Sequence, residues 1–292
     1  MLSPLHSSSA EERPFIWRPY AMVSLILLIT FLVWDSTTWD MHLATLWGEP
    51  SGFALRDHWW MAKIMHAGAR NVGWIFFIAM LIGIWRPWGA LRALPTADRV
   101  CLFLSVLTAL LAVTLIKGFS QTSCPWDLQA FGGAAPYVSH WNLWVRDGGG
   151  GHCFPAGHAS TGFAFMAAYF GLRQNNAPGA MKWLLVAMSI GFILGISQQM
   201  RGAHFMSHTL WTAWLCWTVG WLSHLLFNAV GRKKTSYCLL GSGNFEHVGA
   251  ARRTHWLTAR DGIDVARGHN AARLQMLFCL RQSCIAVCTG VH

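Results

Sequence analysis

Six apolar stretches constrain this chain more than any other feature. They run from Tyr20 to Trp34, Val72 to Trp85, Val100 to Ile116, His158 to Leu172, Trp183 to Ser197 and Leu210 to Val230. Several fall short of the ~20 residues that cross a bilayer. Trp and small polar residues at their ends extend them to spanning length. In lipid the backbone must satisfy its own hydrogen bonds, so stretches of this length read as helices. Composition agrees: 54% of residues are hydrophobic and 12% charged, about half the charge usual in a soluble domain. That excludes a disordered chain and argues against a compact soluble domain. The expected fold is all-α, a polytopic membrane bundle of six transmembrane helices. It comprises an N-terminal cytoplasmic segment (1–14), a six-span domain (15–233) and a poorly ordered tail (234–292). The acids Glu11 and Glu12 argue against a signal peptide.

The formal charge of +10 is read as loops facing anionic lipid, with no nucleic-acid partner. With the N-terminus inside, ten Lys and Arg residues flank the spans on the inner side against six on the outer. The positive-inside bias then places both termini in the cytoplasm, as in a bacterial inner membrane. In the first outer loop, the run Asp57 to Arg70 carries Trp60 and Ile64 at helical spacing and is expected to form a short interfacial helix. Gly162, Ala164, Ala167, Ala168, Gly191 and Gly195 predict close approach of the fourth and fifth spans.

Polar residues gather at the outer ends of spans three to six, in three groups. Lys117 closes the third span and leads into a loop through Leu128. His152 to Ser160, HCFPAGHAS, opens the fourth. Ser197 to His208, SQQMRGAHFMSH, joins the fifth and sixth. On this topology all three face one side. A lone Lys at a span end is ordinarily a snorkelling anchor, but three such groups at one face point to function.

These groups resemble the motifs of the type 2 phosphatidic acid phosphatases, relatives of the vanadium haloperoxidases. The family pattern is Lys-x6-Arg-Pro, then Pro-Ser-Gly-His, then Ser-Arg-x5-His-x3-Asp. This chain reads Lys117-x6-Cys124-Pro125, then Pro155-Ala156-Gly157-His158, then Ser197-Gln198-x5-His204-x3-His208. The order, the spacing and the six-span layout match from about Phe15 to Arg232. Cys124 and Gln198 stand where the family has arginines, Ala156 where it has serine, and His208 where it has aspartate.

The resemblance implies that His204 is the nucleophile, forming a phosphohistidine, and that His158 is the general acid. His208 occupies the position of the orienting acid; the other pairing, with His208 as nucleophile, stays open. Lys117 and Gly157 would bind phosphate, and Arg201, one turn from Gln198, and Arg146 are candidates for the missing guanidinium charge. The start of the fourth helix would add free N–H groups. The scheme needs no cofactor and no metal.

Cys124 and Cys153 lie in one outer loop beside two of the motifs, and a disulfide between them is expected. The expected function is an integral membrane lipid phosphatase acting on a phosphomonoester or pyrophosphate headgroup, with its site on the periplasmic side. Its partner is a lipid phosphate in the bilayer; the sequence fixes no oligomeric state. The alternatives are a lipid phosphotransferase and a degenerate non-enzymatic membrane relative.

Overall fold

The computed structural model describes residues 16–174 and 176–251. The expected N-terminal segment, and residues 252–292 of the expected tail, lie outside them. The chain divides into two compact units, Met1–Arg232 and Lys233–His292.

The first unit is built from helices: α1 (Arg18–Asp35), α2 (Trp39–Ala44), α3 (Ala69–Ile82), α4 (Thr96–Phe119), α5 (Ser160–Phe163), α6 (Ala167–Leu172), α7 (Ala177–Met200) and α8, which begins at Met206. A two-residue antiparallel ribbon, β1 (Gly48–Glu49) with β2 (Gly52–Phe53), lies in the first loop. Four helices are long and apolar enough to cross a membrane: Arg18–Asp35, Trp60–Ile82, Thr96–Phe119 and Ala177–Met200. The run Ser160–Leu172 is a shorter apolar helix, with a 3-10 turn at Ala164–Met166 between α5 and α6. All six apolar stretches are helical, but a full set of six spans is not established by length and hydropathy.

One expectation changes. The segment Asp57 to Arg70 is not a separate interfacial helix. Residues Trp60–Gly68 form a π-helix that runs directly into α3. Nothing breaks the chain there: no proline intervenes, and Gly68 itself has helical angles. Helix α8 is assigned from Met206 to Ala251.

Local signals set the other ends. Asn176 caps α7, its side chain accepting from Gly179 N–H at 2.9 Å, with a proline in the first turn. Asp98 sits in the first turn of α4 and Lys117 in the last, both favourable to the helix dipole. The core lies between α4, α5, α6, α7 and α8, where Val106, Ala109, Phe163, Ala164 and Cys216 are fully enclosed. The outward faces carry exposed Leu25, Ile29, Ile75, Ile78, Leu111, Leu115, Val186 and Ile193. Apolar surface on that scale suits lipid as the surrounding medium.

The expected close approach is present. A Cβ at Gly162 would overlap the backbone of Gly191, so α5 and α7 meet main chain to main chain. Gly162→Ala must force them apart. We expect a loss of about 1–3 kcal/mol, read as a lower unfolding temperature in detergent; an unchanged midpoint would show that this contact does not hold the bundle together.

Candidate active site

The three polar groups meet at one end of α4, α7 and α8, held together largely by backbone. His152 N–H donates to Ser120 O at 2.9 Å and Cys153 N–H to Thr122 O at 3.0 Å, so the first group pairs with the second. Ala156 N–H donates to His208 O at 3.2 Å and Trp126 N–H to Gly202 O at 3.0 Å, which brings in the third. Gly202 makes the turn between α7 and α8 with φ of 74°, a conformation natural to glycine. A Cβ there would also strike the Phe53 ring.

The expected disulfide is present. Cys124 and Cys153 are bonded, with Cα atoms 5.2 Å apart and a sequence separation of 29. It fixes the residues after α4 against those before α5. In the chain-entropy account a loop of this size contributes about 3–4 kcal/mol. Cys124→Ser with Cys153→Ser is therefore expected to lower the unfolding temperature clearly and reduce any activity of the site. A double variant as stable as the parent would remove this role.

Each candidate residue can be placed. Lys117 Nζ donates to His152 O at 2.6 Å, and its stem lies 3.5 Å from where a Gly157 Cβ would stand. Gly157 therefore faces Lys117. His158 sits in the turn just before α5, with Nε2 enclosed and without a hydrogen-bond partner. Burial, then the charges of His66, Lys117, Arg201 and Arg70, push its pKa down to about 3. His204 lies in the turn between α7 and α8, 5% exposed. Its pKa is driven well below 6.5, first by burial and then by Lys117 and His158. Burial thus favours the neutral imidazole there.

His208 lies 5.8 Å from His204 between ring centroids, and its Nδ1 has no partner. It does not hydrogen-bond to the His204 ring. Burial disfavours the protonated form of both rings. His208 packs edge-on against Phe154, Phe205 and His140.

Arg201 is 8% exposed. Its Nε donates to Arg56 O at 2.9 Å and its Nη1 to Gln198 Oε1 at 3.1 Å, so Gln198 orients the guanidinium whose usual position it occupies. Arg146 is exposed and forms no hydrogen bond, ion pair or ring contact among the described residues. The fourth helix begins at Ser160, after a turn, so its first N–H groups are engaged: Ser160 N–H donates to Gly157 O and Thr161 N–H to His158 O, both at 3.2 Å.

Ligand atoms of Cys153, His204 and His208 lie within 4.8 Å of one another. The sulfur belongs to the disulfide, however, and its 2.9 Å approach to Ala203 O and 3.6 Å approach to His204 Nδ1 are contacts without a donated proton. With no thiolate, two imidazoles alone do not make a zinc site.

Three further residues frame the site without any motif to announce them. His66 stacks on His158 with centroids 3.9 Å apart. Asp40 accepts from Ser207 N–H at 3.0 Å and from the Ser207 hydroxyl, capping α8 just beyond His204. Asp35 Oδ2 accepts from Trp141 Nε1 at 2.9 Å and Trp211 Nε1 at 2.8 Å and lies 3.2 Å from His140 Nε2. It ties α1 to α8 and to the segment between α4 and α5.

No curated protein and no solved structure matches the chain. Residues 98–232 match the family model of the PAP2 superfamily, a segment that contains Lys117, His158, Arg201, His204 and His208. Over that segment the chain is similar to the PAP2 superfamily, to which the type 2 phosphatidic acid phosphatases belong.

Proposed function

We propose that this protein is an integral membrane lipid phosphatase, a phosphoric ester hydrolase that cleaves a phosphomonoester or pyrophosphate headgroup through a phosphohistidine on His204. The match of residues 98–232 to the PAP2 superfamily model supports phosphatase-type chemistry. The observation that carries the finer reading is the meeting of His204, His158 and Lys117, each bearing electrostatically on another.

The phosphate binds against Lys117 and Arg201, which balance charge on its non-bridging oxygens. His204 Nδ1 faces Cys153, leaving Nε2 to attack phosphorus in line. The P–N bond forms as the bond to the leaving oxygen breaks, and His158 gives its proton to that oxygen. Water then attacks phosphorus, neutral His158 takes the water's proton, and the P–N bond breaks to return His204. A bound phosphate dianion brings negative charge beside His158, where no carboxylate bears, so substrate itself raises the pKa of His158 toward a useful acid. His208 stands beside His204 as a packed neighbour.

The site lies on the periplasmic side of a bacterial inner membrane, with six spans and both termini cytoplasmic. The ten-to-six distribution of Lys and Arg supports this orientation, as does a disulfide beside the site, which suits an oxidising compartment. The test is phosphate release by the purified chain from a panel of lipid phosphates and pyrophosphates. Release from at least one is expected. Phosphate recovered on a lipid acceptor instead of in solution would identify a phosphotransferase, and no turnover of any member would contradict the reading.

A further inference from the structure

The motif positions held by Cys124 and Gln198 carry no guanidinium, Arg201 makes up for one of the two, and the structure brings a further helix to the pocket. Helix α3 lies against α5 so closely that a Cβ at Gly73 would overlap Thr161 Cγ2. Seven residues before Gly73, toward the outer end, the His66 ring stacks on His158, 3.9 Å between centroids and 33° between planes. Arg70 falls between them, four residues after His66 and three before Gly73. Residues so spaced share one helical face, so Arg70 lies on the face that meets the second motif. It is exposed, and it forms no hydrogen bond or ion pair among the described residues. Its charge reaches both His66 and His158. Asp57 bears on Arg201, but no carboxylate bears on His158. The π-helical stretch that carries His66 is of a rare kind that recurs at functional sites.

We propose that the second spanning helix completes the phosphate pocket: Arg70 binds phosphate oxygens in place of the missing motif arginines, and His66 is a positioning residue that holds the His158 ring. This rests on the reading of His204 and His158 as a phosphatase centre. Arg70 is free to turn its planar fork toward an anion. His66 covers one face of His158, whose unpartnered Nε2 then has a fixed direction for the leaving oxygen.

The test uses the full chain in detergent, with dioleoyl phosphatidic acid as substrate and inorganic orthovanadate as the phosphate probe. Arg70→Gln is expected to raise KM and the vanadate inhibition constant by about tenfold or more, with Arg70→Lys intermediate. Arg92→Gln, which removes one charge near the other end of α3, should match the wild type. His66→Ala should lower kcat by about tenfold with little change in KM, and His66→Phe, which keeps the ring stack, should recover most of it. Wild-type KM and vanadate inhibition in Arg70→Gln would overturn the Arg70 assignment. A His66→Phe chain as slow as His66→Ala would overturn the positioning role. Calorimetric binding of orthovanadate separates this inference from the phosphatase reading. A tenfold loss in Arg70→Gln supports the pocket whether or not lipid is turned over, while absent binding, or equal binding by both chains, overturns it. A wild-type chain that binds vanadate and releases no phosphate would contradict the phosphatase reading alone.

Discussion

His204→Ala is expected to lower lipid phosphatase turnover by on the order of 10⁴-fold or more while the protein still inserts and folds. The covalent intermediate has no other carrier. His208 is the only other imidazole on the third motif, and it cannot swing into place. It is 1% exposed, enclosed by Phe154, Phe205 and His140, and its backbone carbonyl accepts from Ala156 N–H. Its ring stays behind that of His204. The comparison with His208→Ala is informative: that change removes a packed neighbour and should slow turnover far less. Near-parental turnover by His204→Ala, with loss in His208→Ala, would reverse the two roles.

His158→Ala is expected to reduce turnover of lipid substrates by about 10²–10⁴-fold, the usual contribution of a general acid. The size of the loss should depend on the leaving group. An alkoxide leaving from a lipid needs the proton; p-nitrophenolate does not. Activity toward p-nitrophenyl phosphate should therefore fall much less than activity toward phosphatidic acid. Equal losses on both substrates would mean that His158 shapes the pocket and does not deliver a proton. The pKa of about 3 set by burial and the neighbouring positive groups adds a condition. His158 is neutral there at ordinary pH, and protonation must accompany binding of the anion. Activity should accordingly rise as pH falls toward the range where the bound complex holds its proton, until His204 is protonated in turn and loses its lone pair.

The sequence carried the local half of this site. Lys117, His158 and His204 are legible because each sits at a fixed spacing within a short motif. The disulfide is legible because Cys124 and Cys153 share a loop beside two motifs. The six apolar stretches give the helices, and small residues such as Gly162 mark where two of them touch. What was not legible depends on contacts between distant parts of the chain. His66 looks like part of an interfacial segment until the π-helix joins α3 and carries it onto the His158 ring. Asp40 reaches the first turn of α8 from 167 positions away, and no spacing rule covers such a cap. His208 stands at the motif position of an acid, yet it packs edge-on against Phe154, Phe205 and His140, and of these only Phe205 belongs to the third motif.

The most direct test of the central claim is to trap the intermediate. The purified chain would be mixed with a radiolabelled lipid phosphate, quenched within its first turnover and digested, and the labelled peptide sequenced. The account predicts acid-labile phosphate on His204, formed by the wild type and absent from His204→Ala. Label on His208, or multiple turnovers with no phosphate ever bound to the protein, would contradict it.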